Sequence, residues 1–134
     1  MTDAPDICPA LRYEDAKAAI KQLTEAFGFT VHAVYEGEDG RVMHAELSYG
    51  NGMVMLGSTG TGSTFDKIMA GGGPTGIYVR VADVDDHHAR AVAHGVQIVM
   101  PPTDQDYGSR DYMARDAEGN VWSFGTYAPG AAAG

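Results

Sequence analysis

Residues 106–127, DYGSRDYMARDAEGNVWSFGTY, read as two strands joined by a tight turn at Asp116-Ala-Glu-Gly119. Asp at the first turn position can bond back to the backbone, and Gly at the last accepts left-handed dihedrals. The pattern occurs twice in the chain. A shift of 68 positions lays His44-Ala-Glu-Leu-Ser-Tyr-Gly-Asn-Gly-Met-Val-Met-Leu-Gly57 on Tyr112-Met-Ala-Arg-Asp-Ala-Glu-Gly-Asn-Val-Trp-Ser-Phe-Gly125. It also pairs Gly40 with Gly108, Asp15 with Asp83, and Leu11-Arg12-Tyr13 with Val79-Arg80-Val81. Identities are few, but chemical class agrees at most pairs, and no gap is needed between Asp15 and Gly57. The chain reads as one module used twice.

The first copy, 7–57, opens with a strand over Ile7 to Tyr13, where Leu11 and Tyr13 share a face and Cys8, Ala10 and Arg12 take the other. Asp15 precedes a helix with Ala16, Ala19, Ile20, Leu23 and Phe27 at helical spacing, and Gly28 stops it. Phe29 to Tyr35 is a strand turned by Gly37-Glu-Asp-Gly40, and 41–49 and 53–57 form a hairpin. The order is βαβββ. The second copy, 76–127, repeats it. Its helix follows Asp83 with Val84, His88, Ala91 and Val92 inward, Pro101-Pro102 ends the strand 96–100, and the hairpin closes the module. Between the copies, 58–75 is Gly-rich and holds at most a helical turn near Phe65 to Met69. It serves either as a linker or as a flap over a site. The tail after Tyr127 is expected to be loose.

One helix covers one face of each sheet, so the other face must do something else. In the second module Ile77, Val79, Val81, Trp122 and Phe124 supply the helix side, which leaves Gly76, Tyr78, Arg80, Val121, Ser123 and Gly125 opposite. In the first, Met43, Ala45 and Leu47 are the buried series, and His44, Glu46 and Ser48 face away with Met53, Met55 and Gly57. The 68-position shift places Tyr112, Ala114 and Asp116 at the equivalents of His44, Glu46 and Ser48, with Arg110 beside them. Concave faces of this composition, apolar walls with a few polar anchors, suit a small-molecule pocket. Arg12, Arg80, His44 and Glu46 would be costly in a second dry core.

Bulk properties agree with a single soluble domain over 1–134. Apolar content is 44%, charged content 20% and net charge −9. The acidic balance argues against a nucleic-acid partner and permits a cationic ligand. The single Cys8 excludes an internal disulfide and suits a reducing compartment. No leader pattern and no membrane-length apolar run is present, so the expected location is cytoplasmic, with no membrane partner.

The combination resembles the vicinal-oxygen-chelate superfamily in its glyoxalase/bleomycin-resistance branch. The signals are Leu11-x-Tyr13-x-Asp15, Phe27-Gly28-Phe29, Val79-x-Val81-x-Asp83, Asp116-x-x-Gly119-Asn120, Tyr107-Gly108-x-Arg110 and Trp122. The resemblance implies an α+β fold of two tandem βαβββ modules forming a curved mixed sheet around a cavity. It also implies that metal-dependent members place ligands at positions corresponding to Cys8, about Met55, Gly76 and Ser123. A thiol, a thioether, a missing side chain and a hydroxyl make a poor set for a hard catalytic ion, so no metal and no cofactor are expected. A relocated site at His44-x-Glu46, with His32, and a Cys8 nucleophile are weaker readings. Adjacent His87 and His88 point about 100° apart on a helix and cannot chelate together; His87 and His94 are read as outer-face residues.

Two functions follow. One is a metal-independent protein that binds a small molecule, cationic or aromatic, as bleomycin-resistance proteins do and as a homodimer like them. The other is a lyase or isomerase using His44, Glu46 or Tyr112 as general acid or base. The residues assigned to ligand contact are His44, Glu46, Met55, Tyr78, Arg110, Tyr112 and Ser123; no catalytic residue is assigned.

Overall fold

The structure is a computed structural model that describes residues 5–106 and 108–129. Tyr107 of the Tyr107-Gly108-x-Arg110 signal and tail residues 130–134 lie outside that range. The chain forms two compact units, 1–73 and 74–134. The elements of the first are β1 (Ala10–Tyr13), α1 (Ala16–Glu25), β2 (Thr30–Glu36), β3 (Val42–Tyr49), β4 (Gly52–Ser58) and a short α2 (Thr64–Met69). The second holds β5 (Gly76–Arg80), α3 (Val84–Ala93), β6 (Gln97–Asp104), β7 (Arg110–Arg115) and β8 (Val121–Gly125). Each unit builds a four-stranded mixed sheet, ordered β1-β4-β3-β2 and β5-β8-β7-β6, so the fold is α+β. The first strand of each unit pairs parallel with the last and the other pairs are antiparallel.

Local chemistry sets the helix starts. The Asp15 carboxylate accepts from Ala18 N–H at 3.0 Å, and Asp83 accepts from Asp86 N–H at 3.0 Å. The core of the first unit is Leu11, Tyr13, Ala19, Leu23, Phe27, Ala45, Leu47, Val54 and Leu56, all buried. β1 is shorter than the sequence suggests and starts at Ala10, with Ile7 almost fully exposed. Ile20 is only half-buried.

The second unit departs from the sequence reading in four places. His87, not His88, sits in the inward stripe, and Val92 is exposed. The His87 ring lies 4.2 Å from the Phe124 ring, tilted against it, and its Nδ1 is hydrogen-bonded to the Tyr112 hydroxyl at 2.6 Å. Ile77 and Val79 are half-buried rather than buried. β6 runs through Pro101-Pro102 instead of stopping there. It lies at the sheet edge, where a missing N–H need break no ladder bond, and its pairing with β7 shifts register around the prolines.

The fourth departure concerns faces. Phe124 follows Leu56 by 68 positions, but the residue opposite Phe124 is Tyr112, only 67 after Ala45, the residue opposite Leu56. The second hairpin loop is therefore one residue longer, and a one-residue slip moves a whole strand to the other face. Tyr112 and Ala114 are fully buried beside Phe124 and Trp122, and Asp111, Met113 and Arg115 take the opposite face. Asp116 leaves the open face as well and organises the turn. Its carboxylate accepts from Glu118 N–H and Asn120 N–H, each at 3.0 Å, from Asn120 Nδ2 at 3.1 Å and from Trp122 Nε1 at 3.0 Å. Asn120 Oδ1 then accepts from Thr75 N–H at 3.0 Å, which ties the turn to the start of β5.

Replacing Asp116 by Ala strands the buried Trp122 donor and the turn N–H groups, at an expected cost of roughly 2–3 kcal/mol. Urea unfolding followed by Trp122 fluorescence measures it, and an unchanged midpoint would show that the hairpin does not rely on this carboxylate.

Candidate functional site

The face of the first sheet turned away from α1 carries a cavity of about 330 Å³. Its floor and walls come from β1, β3 and β4: Ala10, Leu11, Arg12, Met43, His44, Met55, Leu56, Gly57 and Ser58. Its remaining side comes from the Gly-rich segment, through Thr61, Ser63, Phe65 and Asp66. These last four are residues that sequence reasoning missed. Ser63-x-x-Asp66 is the signal that could have found them, since Ser63 Oγ accepts from Asp66 N–H at 3.1 Å and starts α2.

Met43 was expected in the buried series and is instead about half exposed at the cavity. Tyr35 lies opposite His44 and Glu36 opposite Val42, so Met43 is an extra residue in β3. The bulge sets Met43 and His44 on one side in succession while Val42 and Ala45 both stay buried. Gly57 permits the close approach of β3 there, because a Cβ would come within 3.1 Å of Met43 O.

The strongest charge in the cavity is cancelled locally. Arg12 donates from Nε and Nη2 to Asp66 Oδ1 at 3.0 and 2.7 Å, and from Nη1 to Met69 O at 3.0 Å. Asp66 also accepts from Gly60 N–H and Gly62 N–H, each at 3.1 Å. The Arg12 guanidinium, and after it the Gly62 N–H, hold the Asp66 carboxyl below its ordinary value of 3.8, against an opposing effect of burial. The second polar feature is a pair on β3. His44 Nε2 and Glu46 Oε2 are 2.9 Å apart, both half exposed, with the Tyr35 ring stacked on His44 at 6.1 Å. Glu46 sits opposite Met55 across the hairpin. Of the seven residues assigned from the sequence, His44, Glu46 and Met55 are thus neighbours at one place.

The other four lie in the second unit and do not form a comparable group. Tyr112 is a buried core residue bonded to His87 and does not face the open side; the loop-length slip is the reason. Arg110 is held by two carboxylates, Asp85 at 2.9 Å and Asp104 at 3.1 Å. Hydrogen bonding to Asp85, then to Asp104, raises the Arg110 pKa, and Arg110 in turn lowers that of Asp85. Tyr78 and Ser123 are cross-strand neighbours on the open face. The Tyr78 hydroxyl donates to Tyr127 O, and Gly125 makes room for it, since a Cβ there would lie 2.9 Å away. Arg80 is exposed on the same strand, whereas Arg12 does face a cavity.

The four residues that the family resemblance links to metal binding are poor ligands for a hard ion. Cys8 Sγ is turned toward Pro5 O, Met55 offers a thioether, Ser123 a hydroxyl, and Gly76 stands in open space with no side chain. Among the described residues, no three His, Cys, Asp or Glu side chains cluster closely enough to hold a metal ion.

The family is shown by comparison. The model of the Glyoxalase/Bleomycin resistance protein/Dioxygenase superfamily matches residues 8–124, and the chain belongs to that superfamily. An uncharacterized protein of Mycobacterium bovis is 32% identical over 125 residues, covering 90% of this chain and 82% of its own. Among solved structures, TioX from Micromonospora sp. ML1 is 35% identical with a TM-score of 0.75, covering 96% of this chain and 100% of its own. TnmS3 of Streptomyces sp. CB03234, an antibiotic binding protein, shares the fold with a TM-score of 0.69 at 23% identity, covering 92% and 96%.

Because the Asp66 pKa is lowered on folding, the carboxylate contributes stability above its unfolded value of 3.8 and loses it as the pH falls through the lowered folded value. The Asp66→Asn variant should therefore melt below the wild type at neutral pH, with the gap closing once the pH drops below 3.8. A gap independent of pH in parallel thermal melts would contradict the assignment.

Proposed function

We propose that this chain is a metal-independent small-molecule-binding protein of the antibiotic-binding kind found in its superfamily. The observation that carries the reading is the cavity of the first unit, where the apolar side chains of Met43, Met55 and Phe65 meet a few polar anchors. Ligand sites span about 300–1,000 Å³ and have this composition. Thioethers on two strands give a polarizable wall that adapts to a flat aromatic face. The Glu46 carboxylate beside His44 adds negative charge next to the wall, which favours an aromatic ligand that carries a cation. The antibiotic-binding description of TnmS3 supports the same direction. The reading includes a cytoplasmic location; among the described residues no helix is long and apolar enough to cross a membrane.

Fluorescence titration with a panel of aromatic cations (proflavine, ethidium) and with matched neutral and anionic dyes tests the proposal. Saturable binding of the cations is expected, unchanged by EDTA. Met55→Trp, which fills the cavity, should weaken it by at least about tenfold. Absence of saturable binding across the panel, or binding that EDTA abolishes, would overturn the reading.

The His44–Glu46 pair supports a second reading, since a carboxylate on Nε2 orients the imidazole as a general base requires. Conversion of a bound compound, lost in His44→Gln with binding retained, would favour a lyase or isomerase. The proposal also includes a homodimer. Light scattering should give a mass near twice the 14.1 kDa of one chain, and a monomer mass would exclude it.

A further inference from the structure

We propose that residues 61–70 form a hinged lid over the cavity of the first unit, and that the Arg12 side chain is the latch that holds it shut. The segment supplies one side of the cavity through Thr61, Ser63, Phe65 and Asp66. Little else fastens it. Among the described residues α2 packs broadly on no other helix or strand, and Ile68 is 75% exposed, with Phe65 and Met69 about 40% exposed. A helix with its apolar side chains in solvent is not held by hydrophobic burial.

What joins it to the sheet is chiefly Arg12 on β1; Asp66 also accepts from Gly60 N–H at 3.1 Å, a local bond across the leading hinge. One guanidinium reaches both parts of the helix, through two bonds to Asp66 and one to the Met69 carbonyl. Within the segment, Asp66 binds Gly62 N–H and Ser63 caps the helix, so 62–69 can move as one body. Glycines in the left-handed region flank it: Gly60 before (φ +78°) and Gly71 after (φ +83°), followed by Gly72 and Gly73. Arg41 donates to Gly60 O at 3.0 Å, which anchors the fixed side of the leading hinge. Opening therefore gives up polar contacts and exposes little new apolar surface, the profile of a segment that opens well below the global unfolding free energy.

The functional consequence rests on the ligand-binding reading: the latch sets how fast a ligand enters and leaves. The lid itself is testable without a ligand. Lys67 lies in α2, so trypsin cleavage after Lys67 reports lid opening, whereas cleavage after Lys21 in α1 reports wider unfolding. Arg12→Met should speed cleavage after Lys67 roughly tenfold and leave Lys21 unaffected. Equal acceleration at both sites, or none, would overturn the lid. Hydrogen exchange on the wild type gives an independent reading that does not depend on the variant folding. The 61–70 amides should exchange faster than those of β1 and β4, with a rate that denaturant does not steepen; exchange through global unfolding would again overturn it.

Stopped-flow mixing with proflavine then separates the two ideas. Faster association and dissociation in Arg12→Met support gating. Unchanged proflavine rates alongside faster Lys67 cleavage would show a lid that gates nothing and would overturn the latch as a control on the site. Failure of proflavine to bind the wild type would count against the ligand-binding reading, while the cleavage and exchange results still decide the lid.

Discussion

Each sheet in this protein has a single long helix to cover it, and a four-stranded sheet has two faces. In the first unit Leu11, Tyr13, Ala45, Leu47, Val54 and Leu56 satisfy one face by packing under α1. The period of two in a strand then obliges the alternate residues, Arg12, His44, Glu46 and Met55, to face elsewhere. Those residues are too polar to pack dry and too apolar to leave fully in water. A partly roofed cavity is the arrangement that accommodates both properties, and the Gly-rich segment provides the roof.

Arg12 occupies the critical point in that arrangement. It stands on a short edge strand with the cavity on its exposed side and needs an anion and a carbonyl to satisfy its fork of donors. Asp66 and Met69 O meet that need, and in doing so position a helix that has no apolar seat of its own. The same contact that makes the charge tolerable gives the cavity its outer wall. In the second unit the analogous polar demand is met differently. Arg110 is held by Asp85 and Asp104, and the Tyr78 hydroxyl donates to Tyr127 O.

The errors in reading the faces have local causes. A bulge of one residue at Met43 and a loop longer by one residue at 116–120 each invert side-chain direction, because a strand alternates at every step. The ungapped internal match concealed the second of these. Tyr112 therefore looked like the counterpart of His44 when its true counterpart is the buried Ala45. His87 was misplaced for a different reason: a histidine on a helix looks polar, and only the buried Tyr112 hydroxyl facing its Nδ1 explains why it can go inside.

The sequence alone determined the two-module α+β plan, the superfamily, most of the core of the first unit and the poor ligand chemistry of Cys8, Met55, Gly76 and Ser123. These follow from periodicity, capping residues and side-chain chemistry, which are local and survive without coordinates. The tertiary structure alone decided which residues share a cavity. Thr61, Ser63, Phe65 and Asp66 meet the sheet where Arg12, 54 residues before Asp66, bonds their segment. A contact across that separation leaves no periodic trace, because it depends on where a flexible glycine-rich chain comes to rest.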